Sequence, residues 1–380
     1  MRILHMISSL DPATGGPAAA VRSLMRYGPE GYSQEAVTLD DPDAPFLREI
    51  GFPAHGLGPI STTYGRARRL RPWLRANRAR FDGVVVHGMW QYPGYAVWRS
   101  MRGRTRYVVF PHGMLDPYFK HAFPLKHLKK WVYWLAAEYW VLRAASRVLF
   151  TCAAEAELSK QSFWLHRWNA CVTPLGTTPP EGEPESQREA FFAACPAARG
   201  RRFLLFLGRI DRKKGCDLLV RAFVKVAARD PELDLVMAGP DPQNWRAELE
   251  REAEAAGVAG RIHWPGMLLG DAKWGAFRAA EAFVLPSHQE NFGIAAAEAL
   301  VCSTPVLLSD KVNIAADIAA DGAGMMEADT VAGTERLLER WIELPLVERE
   351  MMAVRAGECF HRRYDMRENA KTMLRVFGEL

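Results

Sequence analysis

The sequence has few cysteines and no long apolar segment, and each shortage argues against a class of protein. Six cysteines are spread over 380 residues, and no two of them form a C-x-x-C pair. That spacing argues against a disulfide scaffold, so we expect reduced structural thiols in a cytosolic protein. The longest apolar runs are shorter than the roughly 20 residues that a bilayer-spanning helix needs. Residues 1–10 are typical of a core strand and no cleavage-like site follows them, so no secretory signal is predicted.

The charge is unevenly distributed, although the formal net charge is only +5. Residues 1–180 contain 23 Lys/Arg and 12 Asp/Glu, a net charge of +11, whereas the remaining residues contain 26 and 32, a net charge of −6. A basic first half suggests an anionic partner, which could be a membrane surface or a phosphorylated acceptor. No zinc finger, RNA-recognition signature or other nucleic-acid motif is present, so nucleic acid is not an expected partner.

Short apolar segments alternate with helical or loop segments along the whole chain. This alternation predicts an α/β protein with parallel, doubly wound sheets. In the first half, the predicted strands after the opening one are 35–39, 83–87, 107–111, 147–151 and 171–174. A stretch rich in Pro and Glu then interrupts the pattern before a second α/β half begins. The predicted organisation is a first domain at 1–178, a linker at 179–199, a second domain at 200–360, and a C-terminal helix within 361–380 that packs back on the first domain.

The most informative stretch follows a buried strand predicted at Ala282–Leu285. It reads Pro-Ser-His-Gln-Glu-Asn-Phe-Gly-Ile and continues into a helix that is small or apolar on every face. Glu290 lies on the loop that leaves the strand, and Glu298 is the only charged residue of the helix. A buried carboxylate is costly unless it has a hydrogen-bonding partner. In open α/β sheets, the loop between a strand end and a helix N-terminus is where ligands bind.

The spacing of the two glutamates, with Asn-Phe-Gly-Ile after the first, resembles the donor-sugar motif of the family 4 retaining glycosyltransferases. The resemblance implies the GT-B fold, in which two Rossmann-like doubly wound domains face a cleft. It also implies transfer of a hexosyl group, with retention, from a UDP- or GDP-sugar to a saccharide or lipid-linked acceptor in polysaccharide or cell-envelope biosynthesis. No cofactor or metal is expected. In this family the first Glu, here Glu290, contacts the donor sugar, and the second, Glu298, binds the ribose.

The resemblance extends to other residues. Arg209 ends the strand that opens the second domain, and Lys214 starts the next helix. The two match the pair that neutralises the leaving diphosphate, and Gly15 and Gly16 match the glycines that face it. Met267 belongs to the loop that borders the nucleobase. The predicted donor-binding residues are Gly15, Gly16, Arg209, Lys214, Met267, Glu290, Asn291, Phe292, Gly293, Ile294 and Glu298. The predicted catalytic residues are His112, Glu290, Arg209 and Lys214.

Two histidines follow predicted strands of the first domain. His112 matches the position at which family members place a His against the donor sugar, where it would hydrogen-bond the sugar and support developing charge. His87 is a second candidate on the acceptor side. Asp116 either orients an acceptor hydroxyl or caps the next helix.

Two further features keep alternatives open. The stretch from Phe119 to Trp140 is basic with interleaved aromatics, so it either binds an anionic membrane or is a solvated face over an aromatic core. The protein would then be cytoplasmic and peripheral on the inner face of the membrane. Asp41 and Asp43 form an Asp-x-Asp in a polar turn, which we interpret as a solvated loop and not a metal site. The rival functions are a sugar-nucleotide epimerase of the same fold and an inactive sugar-nucleotide-binding module.

Overall fold

The computed structural model describes residues 1–14, 16–60 and 64–379. The chain divides into two compact units, the first made of residues 1–176 and 366–380 and the second of residues 177–365. Within the described residues, no helix is long and apolar enough to span a membrane.

The first unit is built on a parallel sheet with the strand order β3-β2-β1-β4-β5-β6-β7. Its strands are β1 (Arg2–Met6), β2 (Ser33–Thr38), β3 (Ala54–Gly56), β4 (Gly83–His87), β5 (Arg106–Phe110), β6 (Arg147–Phe150) and β7 (Ala170–Val172). The helices that connect them are α1 (Gly16–Arg26), α2 (Pro45–Arg48), α3 (Leu70–Asn77), α4 (Tyr92–Met101), α5 (Tyr118–Ala122), α6 (Pro124–Tyr133), α7 (Tyr139–Ala144) and α8 (Ala153–Ser159). A π-helical turn, Trp134–Glu138, joins α6 to α7. Strand β4 is buried along its whole length, as expected for a central strand covered on both faces.

The second unit has a parallel sheet of the same kind, with the order β10-β9-β8-β11-β12-β13. Its strands are β8 (Arg202–Leu207), β9 (Leu233–Ala238), β10 (Ile262–Gly266), β11 (Ala282–Leu285), β12 (Val306–Ser309) and β13 (Gly324–Glu327). Its helices are α9 (Pro184–Ala194), α10 (Cys216–Val226), α11 (Arg246–Ala255), α12 (Gly270–Ala279), α13 (Ile294–Val301), α14 (Ala315–Ala320), α15 (Val331–Glu343) and α16 (Leu346–Cys359). In both sheets the strand order reverses beside the first strand, next to β1 and β4 in one unit and next to β8 and β11 in the other. Open α/β sheets bind ligands at the carboxyl ends of the strands at this position.

The segment predicted as a linker is largely helical and belongs to the second unit. Helix α9 buries Phe191 against Phe203, with 5.4 Å between the ring centroids. A Cβ placed on Gly275 of α12 would lie 1.8 Å from the carbonyl oxygen of Gln187, so glycine allows the two helices to approach closely. Proline at the start of α9 suits the first turn of a helix, which is why a Pro-rich segment can also be a helix start.

The chain returns to the first unit five residues later than the predicted boundary at 360/361. Residues Phe360–Tyr364 form a π-helical turn that stays with the second unit because Phe360 and Tyr364 are buried. The last helix, α17 (Met366–Arg375), packs against α1, and the amide of Asn369 donates to the carbonyl of Leu175 at 3.0 Å.

Candidate functional site

The second unit brings Arg209, Lys214 and Glu290 to the carboxyl ends of its two central strands. The ammonium of Lys214 donates to Glu290 Oε1 at 2.5 Å, and the two side chains are only 19% and 13% exposed. Arg209 lies 3.3 Å from Asp211 and is largely exposed. The Lys214–Glu290 pair therefore lies where a doubly wound sheet binds its ligand, and Arg209 lies on the same loop after β8 as Lys214.

Local structure explains how Lys214 reaches this position. Asp211 caps the short turn Arg212–Lys214, because its carboxylate accepts from the backbone N–H of Lys214 at 3.1 Å. Gly215 then adopts a left-handed conformation at φ = 67°, and a Cβ there would lie 2.2 Å from the carbonyl oxygen of Pro286. The glycine thus lets the loop after β8 lie directly against the loop after β11.

The loop that carries Glu290 is held by its backbone. The backbone N–H of Glu290 donates to the carbonyl of Lys311 at 3.0 Å, and the backbone carbonyl of Glu290 accepts from the N–H of Asn313 at 3.1 Å. Gly293 follows in a left-handed conformation at φ = 75° and starts α13. These bonds fix the direction in which the Glu290 side chain leaves the sheet.

Glu298 lies on α13 and accepts from the ammonium of Lys273 at 2.9 Å. Lys273 also lies over the ring of Trp274, 4.0 Å from its centroid. The expectation that this carboxylate needs a partner is therefore met by a lysine of α12, which the sequence pattern did not identify.

The other predicted donor residues differ in exposure. Phe292 is buried and packs edge-to-face on Tyr364, with 5.7 Å between the ring centroids, so it has a structural contact inside the unit. Met267 and Ile294 are exposed, and Asn291 and Gly293 lie on the same loop as Glu290. Gly16 begins α1 of the first unit. Gly15 lies outside the described residues.

In the first unit, His87 and His112 are joined to a third histidine that the sequence did not indicate. His87 Nδ1 lies 3.0 Å from His112 Nε2, and His87 Nε2 lies 3.0 Å from His5 Nδ1. Burial lowers the pKa of His5 and of His112 to about 4, and lowers that of His87 well below its usual range. All three rings are therefore neutral at physiological pH.

Two buried glutamates support the loops that carry these histidines. Glu155 accepts from the backbone N–H of Gly113 at 2.8 Å and from that of Thr151 at 2.6 Å. Glu138 accepts from the N–H of Trp90, which has φ = 69°, at 2.7 Å. Burial raises the pKa of Glu138 to about 7. Sequence reasoning missed both residues because each acts on a loop far away in the chain.

The carboxylate of Asp116 accepts from the backbone N–H of Tyr118, the first residue of α5, at 2.8 Å, while Pro117 occupies the N-cap position of that helix. In the polar turn, Asp41 accepts from the N–H of Asp43 at 2.9 Å. Among the residues that the structure describes, no group of three or more His, Cys, Asp or Glu could hold a metal ion.

The basic aromatic stretch has an outer and an inner face. Leu125, Leu128, Val132 and Leu135, at helical spacing, are 78%, 65%, 73% and 50% exposed. We call these four residues the apolar stripe. Lys126 and Lys129 are exposed on the same helix.

The inner face corrects part of the sequence interpretation. Trp134 is fully buried, and Tyr133 is hydrogen-bonded to Tyr64 at 2.9 Å. The ammonium of Lys130 lies 4.4 Å from the centroid of the Trp90 ring, and burial lowers its pKa. Trp134 therefore belongs to the core and Tyr133 and Lys130 are partly buried against it, as in the solvated-face alternative, whereas Phe123, Trp140 and the aliphatic residues of the stretch are exposed.

A cavity of ≈ 190 Å³ lies on the inner side of α6. Its lining combines apolar and cationic side chains: Trp90, Met114, Phe119, Phe123, Lys126, His127 and Lys130. Met114 follows His112 by two residues, so the cavity lies beside the loop that leaves β5.

Comparisons with known proteins agree with this arrangement. A family model described as "Glycosyl transferase 4-like domain" matches residues 15–176, and one described as "Glycosyl transferases group 1" matches residues 187–358. The two ranges together span most of the chain. This chain belongs to the family 4 glycosyltransferases.

Curated relatives of this family 4 glycosyltransferase match over part of their length. A D-inositol 3-phosphate glycosyltransferase of Actinosynnema mirum is 40% identical over 111 residues, 27% of each chain. A 2-deoxystreptamine N-acetyl-D-glucosaminyltransferase of Streptomyces fradiae is 33% identical over 179 residues, 45% of this chain and 41% of the relative. In these matches the chain spans less than half the length of the relatives.

Solved structures establish the GT-B fold of this family 4 chain. The Anabaena protein HepE in complex with UDP gives a TM-score of 0.76 at 16% identity and covers 100% of both chains. Sucrose-phosphate synthase from Thermosynechococcus elongatus gives 0.73 at 19% identity, covering 100% of this chain and 98% of that one. The predicted fold class is therefore confirmed.

Proposed function

We propose that the protein transfers a hexosyl group from a UDP- or GDP-sugar to a saccharide or lipid-linked acceptor, with retention and without a metal. The observation that carries the proposal is the Lys214–Glu290 ion pair at the ends of β8 and β11, with Arg209 on the same loop as Lys214. A diphosphate fits the two cations, and a sugar hydroxyl fits the carboxylate. One basic and one acidic group held in contact can thus bind adjoining parts of one nucleotide sugar.

The proposed chemistry depends on stabilising the leaving group. Arg209 and Lys214 would offset the charge that develops on the diphosphate, together with the exposed N–H groups at the start of α13. No residue is assigned as a carboxylate nucleophile, so we propose a front-side transfer in which the diphosphate helps to deprotonate the acceptor. Glu298 would hold the ribose hydroxyls, with its carboxylate positioned by the ion pair to Lys273.

The comparisons support the donor class and the setting. Anabaena HepE has been solved with UDP and with UDP-glucose. WaaG, a glycosyltransferase involved in lipopolysaccharide biosynthesis, gives a TM-score of 0.70 at 18% identity, covering 99% of both chains. We therefore favour UDP over GDP, and polysaccharide or cell-envelope assembly as the process.

Calorimetry with UDP, GDP and their common sugars tests the donor assignment. A nucleotide that binds is then supplied as its sugar, and release of the free nucleotide is followed with and without acceptor saccharides. If the protein is a transferase, free nucleotide is released only when an acceptor is present. NMR of the product should then show the same anomeric configuration as in the donor sugar. Conversion of the sugar without acceptor would instead identify an epimerase. If none of the nucleotides binds, the donor assignment is wrong.

We also propose that the acceptor is presented at an anionic membrane surface, against the apolar stripe. The stripe exposes four large aliphatic side chains, and Lys126 and Lys129 lie beside it on the same helix. Aliphatic residues suit the acyl boundary of a bilayer, and each Lys near anionic lipid is worth about 1 kcal/mol. The adjacent cavity, with three basic side chains and aromatic walls, would take the polar head of a lipid-linked acceptor.

Co-sedimentation with phosphatidylglycerol-containing and pure phosphatidylcholine vesicles tests this surface. We expect binding to the anionic vesicles that weakens as salt rises. Lys126→Glu/Lys129→Glu and Leu128→Ser/Val132→Ser should each reduce it. Two control pairs should not: Arg68→Glu/Arg75→Glu alters another exposed basic segment, and Val347→Ser/Val354→Ser removes exposed apolar residues from α16. Equal loss in test and control pairs, or no binding by the unchanged protein, would rule the surface out.

A further inference from the structure

A chain of four side chains crosses the sheet of the first unit. Gln34 Oε1 lies 2.9 Å from His5 Nε2, His5 Nδ1 lies 3.0 Å from His87 Nε2, and His87 Nδ1 lies 3.0 Å from His112 Nε2. His5 and His87 are buried, and neighbouring rings in the chain are stacked at 5.3 Å. We call this set the histidine chain.

The sheet register produces the histidine chain. Gln34 of β2 pairs with Ile3, two residues before His5 of β1. His5 pairs with Val85, two residues before His87 of β4, and His87 pairs with Phe110 of β5, two residues before His112. A step of two residues keeps each side chain on the same face of the sheet. The four side chains therefore lie along a diagonal on one face of the sheet, and each is closer than the one before to the edge formed by the carboxyl ends of the strands.

Gln34 determines the direction of the hydrogen bonds. An amide oxygen can only accept, so His5 Nε2 must carry a proton, and its Nδ1 must then accept from His87 Nε2–H. By the same logic His87 Nδ1 accepts from His112 Nε2–H. The amide nitrogen of Gln34 faces the carbonyl of Met25 at 3.5 Å, which agrees with this orientation of the amide. Each neutral ring has one proton, so one choice at Gln34 sets all three tautomers.

We propose that Gln34, His5 and His87 are positioning residues that hold His112 as its Nε2–H tautomer, so that its Nδ1 accepts a hydrogen bond from a substrate hydroxyl. The inference rests on the proposed function only in assigning His112 to the substrate. Nδ1 of His112 has no hydrogen-bond partner among the described residues, and the ring is stacked on Phe110 at 4.3 Å. The only other complete arrangement reverses every bond and turns His112 Nδ1 into a donor.

The tautomers can be measured without substrate. With the full-length protein labelled at histidine with ¹⁵N, two-bond ¹H–¹⁵N correlations distinguish Nε2–H from Nδ1–H rings at neutral pH. Single His→Asn variants at positions 5, 87 and 112 assign the signals. We expect Nε2–H for all three rings, and an Nδ1–H tautomer at His112 in the unchanged protein would overturn the inference.

The variant Gln34→Met keeps the length of the side chain and removes the accepting oxygen. We expect a large fraction of the reversed tautomer at His112, and a kcat lowered about tenfold with little change in the KM for the donor or in nucleotide affinity. Gln34→Glu restores an accepting oxygen and should restore the Nε2–H tautomer. Glu35→Gln is the matched control, because it disturbs the next residue of β2, on the other face of the sheet, where Glu35 pairs with Arg2 and Arg80.

The two measurements separate the inference from the proposed function. If Gln34→Met leaves the tautomers unchanged, or lowers kcat no more than Glu35→Gln does, the positioning role is wrong. If the protein proves to transfer no sugar while the tautomers respond to Gln34 as expected, the proposed function fails and the measured control of His112 by Gln34 stands.

Discussion

Lys214 and Glu290 should contribute to nucleotide binding with opposite signs, although they form one ion pair. The ammonium of Lys214 has three N–H donors, and Glu290 takes one of them at 2.5 Å. The other two are available to a diphosphate. Lys214→Ala removes a charge-assisted bond of about 1.5–3 kcal/mol, which corresponds to a weakening of UDP binding by roughly 10- to 150-fold. Glu290→Gln removes the competing negative charge, so UDP binding should be unchanged or slightly stronger, whereas sugar transfer should slow.

A double-mutant cycle measured by calorimetry makes the comparison quantitative. Without the carboxylate, Lys214 faces the diphosphate with its full charge, so Lys214→Ala should cost up to about 1 kcal/mol more in the Glu290→Gln background. Lys225→Ala is the control, since it removes an exposed lysine of the same unit that pairs with Glu335 at 2.7 Å. Thermal melts of each variant check that the unit is folded. The reasoning is refuted if Lys214→Ala binds UDP normally, or if Glu290→Gln weakens UDP binding as much as Lys214→Ala does.

Three further predictions concern other parts of the molecule. Glu298→Gln should weaken binding of the bare nucleotide about tenfold or more, because the ribose belongs to the nucleotide; calorimetry with UDP measures this, and normal affinity would exclude the ribose assignment. Transfer should persist in excess EDTA, and loss of activity that Mn²⁺ or Mg²⁺ restores would show a metal requirement. The raised pKa of Glu138, about 7, means that the folded state holds a proton that the unfolded state releases near pH 4.5, so this group's contribution to stability falls as pH rises between those values. Glu138→Gln should therefore be more stable than the unchanged protein by on the order of 2–3 kcal/mol at pH 8 and by much less at pH 5, and an equal difference at both pH values in thermal melts would contradict the shift.

Sequence reasoning succeeded where the signal is local. The apolar run Ala282–Leu285 predicts a strand from adjacent residues, and the structure has β11 there with Glu290 on the loop that follows. A local pattern also places Lys214 after a strand. The contact between Lys214 and Glu290 additionally needs the strand order, because β8 and β11 are neighbours only in the folded sheet.

The features that the sequence did not indicate depend on register and on helix rotation. His5 lies inside an apolar strand, and only the pairing of β1 with β4 brings it to His87. Lys129 and Lys130 are adjacent in the chain, yet one is exposed and the other lies over Trp90. A composition-based interpretation treats these two lysines as equal, and only their direction around α6 separates them.

The late return of the chain to the first unit affects how the protein is made. Helix α17 buries Met366, Ala370, Met373 and Leu374 in that unit, and the ring of Phe377 fills the space where a Cβ on Gly83 of β4 would lie. During translation, residues 1–176 leave the ribosome first, and the whole second unit follows before this helix emerges. The second unit can fold as an uninterrupted segment. In the first unit, part of the apolar surface stays uncovered until the about 190 residues of the second unit have been synthesised and α17 follows. The unit that carries the histidine chain therefore keeps apolar surface uncovered while the second unit is synthesised, and uncovered apolar surface is what makes a nascent chain prone to aggregation.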